Sequence, residues 1–364
     1  MAPVTAVIVG AGHRGQGYGQ YALEHPDLFQ IVGVAEPTEV RRQRVVQNHD
    51  VPEAHTFESW EAAAAVPKFA DVAMITTQDQ MHKAPAVAFA KLGYHILLEK
   101  PMAVTAADCR AIAEACEANG VMLCVCHVLR YSPVNQRLRQ LVADGTIGAL
   151  KNISHTEPVG YFHFAHSFVR GNWRREDESS FALMAKCVHD VDLIRWWFGG
   201  IKCTGVSSFG SLSEFHSKRK PAQAAARCLD CPLQDSCTYS AKRIYMEKGW
   251  FASHITDNAR DPHEVEKAVR EGPYGRCVWQ CDNDVADNQV VSFQFEGGET
   301  ATLSMIAFTE KLCQRETTFY GTEGQLRCYD SSTIEHFDFG TQQRPLLRCL
   351  LSDNLTDGPT FVDL

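Results

Sequence analysis

The stretch Ala6-Val7-Ile8-Val9-Gly10-Ala11-Gly12-His13-Arg14-Gly15 decides the fold of this chain. Its apolar residues predict a buried strand, and its three glycines predict a tight turn that opens a helix. A second apolar run, Ile31–Ala35, ends on Glu36, 21 residues after Gly15. This order of strand, glycine turn, helix, strand and acid is typical of a dinucleotide-binding unit, because the amides at the helix N-terminus bind a pyrophosphate.

The acid at the end of the second strand indicates which dinucleotide is bound. Glu36 can accept hydrogen bonds from both ribose hydroxyls and would repel a 2′-phosphate, so NAD is favoured. Arg41 and Arg42 lie close by in the sequence and leave NADP as the alternative. The predicted cofactor contacts lie in the glycine turn or at the carboxyl ends of predicted strands: Gly10, Gly12, His13, Arg14, Gly15, Glu36, Thr76, Thr77, Gln78, Glu99 and Lys100.

Length and composition exclude several classes of protein. A chain of 364 residues predicts two domains. The net charge of −9, without a long basic tract, argues against a nucleic-acid partner. No apolar run approaches the ~20 residues of a membrane span, and no signal peptide is recognisable, so we expect a cytoplasmic protein without a membrane partner. Its fourteen cysteines should then be reduced, and some of them require another role, such as metal binding.

The pattern along the chain predicts an α/β fold with two domains. Alternating strands and helices over 5–127 predict a doubly wound parallel sheet, in an NAD-binding Rossmann domain over 1–130. The region 131–364 is predicted to be an α+β domain with an open, mainly antiparallel sheet, which would bind the substrate. A Cys-rich insertion over about 211–285 shows no clear periodicity, and the segment from about 340 gives no prediction.

Lys100 is the first candidate catalytic residue. It follows a predicted buried strand and stands between Glu99 and Pro101, and the proline disfavours helix for the lysine before it. At the carboxyl edge of a nucleotide-binding sheet we expect its amine to be desolvated, with a lowered pKa. Such an amine could exchange the proton of a carbinol during hydride transfer. The alternative is an ordinary solvated loop lysine.

A helix predicted over 181–198 carries two more candidate catalytic residues. Lys186 and His189 are three positions apart and therefore share a helix face, so they could present an amine and an imidazole to one substrate. The alternative for His189 is a partly buried imidazole that bonds to the backbone.

The segment Tyr161–Arg175 is dense in aromatic, imidazole and guanidinium groups. Aromatic faces stack on sugar rings, and arginine binds anions in a planar fork. The alternative is an oligomer interface or an ion-paired surface loop, since three acids follow at 176–178. His127, at the end of the last predicted Rossmann strand, is added to the residues of this segment. The predicted substrate-binding residues are therefore His127, Tyr161, His166, Arg170, Asn172, Trp173 and Arg174.

Five cysteines cluster in the insertion with the spacing of a metal site. They occur as Cys228-x2-Cys231-x5-Cys237 and, about forty residues later, Cys277-x3-Cys281. Because the insertion is poor in apolar residues, we expect a structural metal to hold it, and four thiolates suit tetrahedral Zn²⁺. The predicted ligands are Cys228, Cys231, Cys237 and Cys277, with Cys281 in reserve. An iron–sulfur cluster is the alternative metal group, and scattered free thiols are the non-metal alternative.

Together, the glycine turn, the Glu99-Lys100-Pro101 run, Arg130-Tyr131 and the helix with His189 resemble the glucose–fructose oxidoreductase, inositol dehydrogenase and MocA (Gfo/Idh/MocA) superfamily over nearly the whole chain. The resemblance implies a C-terminal open sheet that receives a sugar and forms homodimers or homotetramers. It also implies Lys100 as the proton-handling lysine and His189 as the second catalytic group. One departure is Ala185, where many relatives have an aspartate. Lys186 is expected to take over part of that role.

Three functions follow as expectations. The first is an NAD-dependent dehydrogenase that removes hydride from a ring carbinol, at C3, of an anionic sugar or glycoside. The second is a redox-neutral NAD-dependent glycoside hydrolase, for example of the sulfoquinovosidase type, because the family includes enzymes that oxidise C3 transiently before elimination. The third is a non-catalytic NAD-sensing regulator, for which Lys100 would be dispensable.

Overall fold

The computed structural model describes residues 2–349. The chain divides into two compact units, Met1–Cys126 and His127–Leu364, and each is described by itself.

The first unit is a parallel sheet with helices between its strands, as the sequence predicts. Its sheet has six strands in the order β3-β2-β1-β4-β5-β6, and every neighbouring pair is parallel. The strands are β1 Val4–Val9, β2 Phe29–Ala35, β3 Thr56–Phe57, β4 Val72–Ile75, β5 His95–Leu98 and β6 Leu123–Val125. The helices are α1 His13–Glu24, α2 Glu39–His49, α3 Trp60–Ala64, α4 Lys83–Lys91 and α5 Ala106–Ala118.

Burial explains why these short apolar runs form strands. Val7, Ile8 and Met74 are fully buried, because helices cover both faces of a parallel sheet and leave no polar face. The carboxyl ends of parallel strands meet at one edge of the sheet. That edge therefore carries the glycine turn after β1, Glu36 after β2 and Lys100 after β5.

The second unit contains an eight-stranded mixed sheet in the order β14-β13-β12-β11-β7-β10-β9-β8. The central pair β7–β10 is parallel and all other pairs are antiparallel, which confirms the open, mainly antiparallel sheet. The strands are β7 Leu150–Pro158, β8 Cys203–Ser211, β9 Asn288–Phe295, β10 Thr300–Ile306, β11 Glu316–Gly321, β12 Gly324–Cys328, β13 Thr333–Asp338 and β14 Leu346–Arg348.

The helices of the second unit are α6 Pro133–Ala143, α7 Tyr161–Phe164, α8 Ala182–Trp197, α9 Ala252–Ile255 and α10 Pro262–Glu271. Helix α8 packs on β7 and β10, the centre of the sheet. Two π-helical segments, Ala165–Arg170 and Lys242–Glu247, lie between the regular elements. Such π-turns often occur at functional sites.

The insertion is better ordered than its sequence suggests. Helix α10 begins at Pro262 with Asp261 as its N-cap, and buries Val265 and Val269 on one face. These side chains pack with Tyr245, Ile244 and others in an apolar cluster of the insertion. The insertion is poor in apolar residues, but several of those it has converge in space and form this cluster.

Within residues 2–349, every helix is too short or too polar to cross a lipid bilayer.

Candidate active site

The glycine turn has the shape that a dinucleotide requires. Gly10 has φ of +92°, a conformation that glycine adopts without strain. A Cβ on Gly15 would lie 2.3 Å from the carbonyl oxygen of Gly10, so only glycine permits this approach of helix to turn. A Cβ on Gly12, the N-cap of α1, would meet no described atom within 4 Å, which leaves room for a pyrophosphate beside the helix N-terminus.

Glu36 lies beside this turn, as the sequence predicts for the ribose-binding acid. Its carboxylate is buried and accepts hydrogen bonds from the backbone N–H of Ala11 at 2.7 Å and of Thr38 at 2.9 Å. Arg42 donates to the carbonyl oxygen of Glu36 at 2.6 Å and pairs with Glu58 at 3.3 Å, so its charge is already matched. On the neighbouring strand end, the Thr76 hydroxyl donates to the carbonyl of Gly10 at 2.5 Å. These residues fit the adenosine and pyrophosphate parts of NAD.

Glu99 organises the loop that carries Lys100. Its buried carboxylate accepts the backbone N–H of Lys100 at 2.8 Å, contacts the Tyr18 hydroxyl and lies 3.6 Å from the Arg14 guanidinium. Burial and then the charge of Glu99 raise the pKa of Tyr18 far above its usual value, so the phenol stays protonated and donates. Lys100 itself is half-buried. The predicted cofactor residues Arg14, Glu99 and Lys100 thus form one network.

His82 is a positioning residue that sequence analysis missed. It is fully buried, and its two ring nitrogens contact the carbonyl oxygens of Pro101 at 2.8 Å and Thr77 at 3.1 Å. The ring therefore connects the loop after β4 with the loop after β5. A single histidine before a helix gives no sequence signal for such a bridge.

Two other residues that the sequence predicts to contact the cofactor, His13 and Gln78, are exposed.

In the second unit, Lys186 lies on the inner face of α8. Its amine is 2.9 Å from the Cys313 sulfur and 3.6 Å from a Glu157 carboxylate oxygen. Burial lowers the pKa of Lys186, but Cys313 and Glu157 outweigh this effect and the pKa is raised. Lys186 is consequently a cation that can donate hydrogen bonds and is not suited to act as a base.

A buried network of ion pairs supports Lys186. Arg315 contacts Glu157 at 2.7 Å and Asp190 at 3.0 Å, and His155 contacts Asp190 at 2.9 Å. Burial would raise the pKa of Asp190, but Arg315 and His155 hold it well below its usual range. Two cations and two anions therefore balance one another around α8. No pattern in the sequence indicates these partners, because they come from β7 and from the residue that precedes β11.

His189 follows Lys186 by three residues on α8 and is buried. Its ring meets that of His127 edge to face, with centroids 6.3 Å apart. His127 lies 3.9 Å from Asp192, which also accepts two hydrogen bonds from Arg130, at 2.7 and 2.6 Å. The structure thus brings together two predicted site residues, His127 and His189, and fixes the turn beside them through the Arg130–Asp192 pair.

The predicted substrate segment is mostly buried. His166 is stacked between Phe251 and Tyr274, at centroid distances of 4.7 and 4.8 Å, and its Nδ1 lies 3.0 Å from the Tyr245 hydroxyl. Burial, followed by the charges of His254 and Arg170, lowers the pKa of His166 to about 3. His166 is therefore a neutral, packed ring. Tyr161 and Trp173 are half-buried and Asn172 is exposed, so these three have surface available for a ligand.

Two arginines predicted to bind substrate are already engaged. The Arg170 side chain is buried and donates to the carbonyl oxygens of Arg276 and Tyr239, at 2.8 and 2.7 Å. Arg174 is paired with Glu178 at 2.8 Å and with Asp282 at 3.0 Å. The geometry supports the alternative of an ion-paired loop for Arg174, because acids close in space neutralise it.

The cysteines of the insertion share a cavity but do not form a ready-made metal site. Cys228, Cys231, Cys237 and Cys277 line one cavity, as their spacing predicts. Within residues 2–349, however, no group of three or more His, Cys, Asp or Glu side chains is arranged so that it could hold a metal ion. All fourteen cysteines carry free thiols. The structure therefore supports the proximity of the four cysteines and does not show the predicted zinc.

Comparison with known families assigns the chain. A profile described as "Oxidoreductase family, NAD-binding Rossmann fold" matches residues 4–127, and one described as "Oxidoreductase family, C-terminal alpha/beta domain" matches residues 139–344. The chain belongs to the Gfo/Idh/MocA oxidoreductase family. Both profiles describe an oxidoreductase family, and the N-terminal one describes an NAD-binding Rossmann fold.

Curated Gfo/Idh/MocA relatives match over part of their length. The Bacillus subtilis protein named "Putative oxidoreductase YteT" is 24% identical over 70% of this chain and 59% of its own. The human trans-1,2-dihydrobenzene-1,2-diol dehydrogenase is 29% identical over 51% of this chain and 53% of its own. The 2,7-anhydro-N-acetylneuraminate hydratase of Escherichia coli is 27% identical over 40% of this chain and 38% of its own. The matches thus span about three fifths or less of these relatives.

Solved structures of other proteins share the fold of this chain. Levoglucosan dehydrogenase in complex with NADH and L-sorbose covers 96% of this chain and 80% of its own, at 16% identity and a TM-score of 0.70. An inositol dehydrogenase homologue from Azotobacter vinelandii with NAD⁺ covers 97% of this chain and 77% of its own, at 14% identity and a TM-score of 0.69. Identities this low establish the architecture alone.

Proposed function

We propose that this chain oxidises a ring carbinol, at C3, of a sugar or glycoside, with Lys100 as the acid–base group on the reacting hydroxyl. The observation that carries the proposal is the Glu99 network. One buried carboxylate ties the Lys100 backbone to Arg14 and Tyr18 of the helix that follows the glycine turn. The backbone of Lys100 is thereby held at the sheet edge where a dinucleotide binds in such folds, which supports a role for its amine there. Few structural roles would require a half-buried lysine there.

The chemistry divides between cofactor and protein. When bound, NAD supplies an acceptor for the hydride that leaves the carbinol carbon. Lys100, with its amine neutral, takes the hydroxyl proton, so that the carbinol becomes a ketone. Proton transfer by a positioned group of this kind contributes about 10²- to 10⁴-fold to a rate.

We assign the second catalytic role to His189. Its buried imidazole lies beside His127, and the turn that carries His127 is fixed by the Arg130–Asp192 pair. His189 is the second acid–base group of the reaction, and the Lys186 cation orients a substrate oxygen as a donor. Tyr161, Asn172 and Trp173 supply stacking surface and hydrogen bonds for the sugar.

The second candidate function is a redox-neutral glycoside hydrolase. It is supported by the similarity to the Escherichia coli hydratase and by Ala185, which stands where the family resemblance implies an aspartate. In this sequence of steps, C3 oxidation acidifies the proton on C2. His189 removes that proton as the C1 substituent leaves, water adds to the double bond, and return of the hydride to C3 restores the alcohol. There is no net redox change.

We propose that the substrate is anionic, although the arginines of the segment Tyr161–Arg175 do not support this. Arg170 and Arg174 are engaged within the protein and do not present free guanidinium groups. The support comes from relatives: the Escherichia coli enzyme is named for 2,7-anhydro-N-acetylneuraminate, a carboxylate, and one structure of this fold contains UDP-GlcNAcA. Comparing glucuronides with the matching glucosides tests it, since a preference for the neutral sugar would contradict an anionic substrate.

One assay separates the candidate functions. Purified enzyme is incubated with NAD and either free sugars or aryl glycosides, while NADH absorbance and phenol release are recorded. NADH formation in proportion to oxidised sugar indicates the dehydrogenase. Phenol release without NADH formation indicates the hydrolase, and incorporation of solvent deuterium at C2 confirms its elimination step. Binding of NAD without turnover of any sugar, together with an intact biological role in Lys100→Ala, would support the NAD-sensing regulator instead.

We also propose that the protein is a homodimer or homotetramer formed through its eight-stranded sheet. Phe209 and Val290 face each other across β8 and β9, and they expose 76% and 40% of their surface. Light scattering of the wild type and of Phe209→Ser tests this. A monomeric wild type would contradict it.

A cytoplasmic location is proposed from the thiols. All fourteen cysteines are free in the structure, which suits a reducing compartment. Fractionation of cells that produce the tagged protein provides the test.

A further inference from the structure

The thiol cavity of the insertion has no role in the proposed function. Its volume is about 20 Å³, and its lining includes Arg170 and the sulfur-bearing residues Cys228, Cys231, Cys237 and Cys277. A cavity of this size holds one occupant about as large as a water molecule. The four cysteines are drawn from two segments about forty residues apart, and the segments are joined by the bridge between Arg227 and Arg276.

Arg170 enters this cavity as a buried cation, with no carboxylate partner in the part of the chain that the structure describes. Its side chain is 1% exposed, and its Nη2 donates to the Cys228 sulfur at 3.5 Å. Its Nη1 is buried and has no hydrogen-bond partner among residues 2–349. Burying a charge is costly unless an opposite charge or full hydrogen bonding compensates it.

One of the other three sulfurs is approached by a backbone N–H: Ala225 donates to the Cys231 sulfur at 3.5 Å. Hydrogen bonds of this kind favour a negatively charged sulfur over a neutral thiol. Two of the four sulfurs, those of Cys228 and Cys231, thus accept a hydrogen bond from a nitrogen donor, and the buried guanidinium supplies a positive charge beside the cavity.

We propose that Cys228, Cys231, Cys237 and Cys277 bind one Zn²⁺ ion as a structural site, and that Arg170 is its counter-charge. Four thiols release four protons on binding, and the resulting centre carries a net charge of −2 beside the guanidinium. No described set of side chains is yet in metal-binding geometry, so the sulfurs must turn toward the cavity centre, as rotation about cysteine χ1 allows. The four ligands leave no open position for catalysis.

This inference goes beyond the proposed function, because it assigns Arg170 to metal binding instead of sugar binding. It is tested on the full-length protein, produced in zinc-supplemented medium and purified without chelators or a polyhistidine tag. Mass spectrometry of the metal content should find about one zinc per chain, as expected for one Cys₄ site. Cys228→Ser and Cys277→Ser should lose the zinc. Cys124→Ser, which changes an exposed cysteine of the first unit, should keep it.

A second measurement keeps the test valid if the serine variants do not fold. The wild-type protein is titrated with an organomercurial while a chromophoric chelator reports the released zinc. Release that accompanies modification of four thiols supports the proposal, as do the intense visible bands of tetrahedral thiolate coordination after cobalt substitution. A metal-free protein with four reactive thiols, or with those cysteines in disulfides, overturns it. A brown protein that contains iron and labile sulfide overturns the zinc assignment.

Arg170 is tested separately, with the charge as the variable. Arg170→Met should weaken zinc binding, measured against a competing chelator, by about 10- to 100-fold, as for other groups next to metal ligands. Arg170→Lys retains the positive charge, and its zinc affinity should fall much less. Unchanged zinc affinity in Arg170→Met, together with a raised KM for the sugar, would overturn the assignment. Zinc content is measured without any sugar, so it does not depend on whether the proposed oxidation is correct.

Discussion

Lys100 is the residue on which the proposed chemistry depends. Replacement by Met removes the amine and should lower kcat by about 10²- to 10⁴-fold, the usual contribution of a general acid–base group. The Kd for NAD, measured by fluorescence quenching, should change far less, because the glycine turn and Glu36 remain. Lys91→Met, at the exposed end of α4, is the matched control. A variant with undiminished kcat would exclude Lys100 from proton transfer.

We propose that Glu36 determines the choice between NAD and NADP. Glu36→Gln keeps the size of the side chain and removes the charge that repels a 2′-phosphate. We expect the affinity for NAD to fall by about tenfold, which corresponds to the loss of one charged hydrogen bond, and the discrimination against NADP to shrink. Calorimetric titration with both dinucleotides measures the two effects. Glu39→Gln removes a charge from the exposed first turn of α2 and is the matched control, which should leave both affinities nearly unchanged.

His166 makes stability depend on pH. The unfolded chain binds a proton on this residue near pH 6.5, whereas burial lowers the pKa in the folded protein to about 3. Between these values the unfolded state binds more protons, so the free energy of unfolding falls as the pH is lowered. The slope is on the order of 1.4 kcal/mol per pH unit for one such group. His166→Phe removes this contribution while keeping an aromatic ring.

The measurement for His166 is a series of urea titrations of wild type and variant across that pH window. The free energy of unfolding of the wild type, minus that of the variant, should decrease steadily as the pH is lowered. The reason is that only the wild type loses the contribution of a neutral imidazole. A difference that does not vary with pH would show that folding leaves the protonation of His166 unchanged.

At the scale of elements, helix α8 depends on a balanced set of buried charges. Asp190→Ala would leave Arg315 with an unmatched part of its charge, and removing one partner of a buried ion pair costs about 3–5 kcal/mol. Denaturant unfolding measures the loss. Asp177→Ala, which breaks the exposed pair between Arg175 and Asp177, should have a much smaller effect and is the control. Equal effects of the two variants would contradict the importance of the buried network.

The elements differ in how far the sequence could predict them. The parallel sheet follows from local signals: a buried apolar run, a glycine turn, a helix and the next run. Helix α10 was missed although Asp261-Pro262 and the Val265/Val269 spacing mark its start and buried face. Strands β12 and β13 are not predicted, because they are short and lie in antiparallel hairpins with partly exposed residues, and β14 lies in the segment from about 340 for which the sequence gives no prediction.

The candidate site was predictable only where its geometry is local. The shared helix face of Lys186 and His189 follows from their spacing of three. The contact of Lys186 with Cys313 joins residues 127 positions apart, and no periodicity indicates it. The same holds for Arg170, whose donors meet backbone and sulfur acceptors from distant loops. Whether an arginine is available to a ligand depends on partners that are distant in the sequence. The composition of the segment alone therefore could not predict it.

For the whole molecule, NAD should act as a stabilising ligand. A ligand that binds only the folded state at 100 times its Kd raises the free energy of unfolding by about 2.7 kcal/mol. Scanning calorimetry of the full chain with increasing NAD should therefore show a transition that moves to higher temperature. Glu36→Gln should need more NAD for the same shift. A transition temperature that does not change with the NAD concentration would contradict binding of NAD to the folded protein.

The pairing of β7 has a consequence for how the chain is made. Its neighbours are β10 and β11, and the contacts Asn152–Thr300 and His155–Thr317 join residues 148 and 162 positions apart. During synthesis on the ribosome, both edges of β7 therefore stay unpaired until β10 and β11, at residues 300–321, have emerged. Exposed strand edges invite association with other chains. Nascent chains arrested before Thr300 should thus be the form that chaperones retain and that aggregates first.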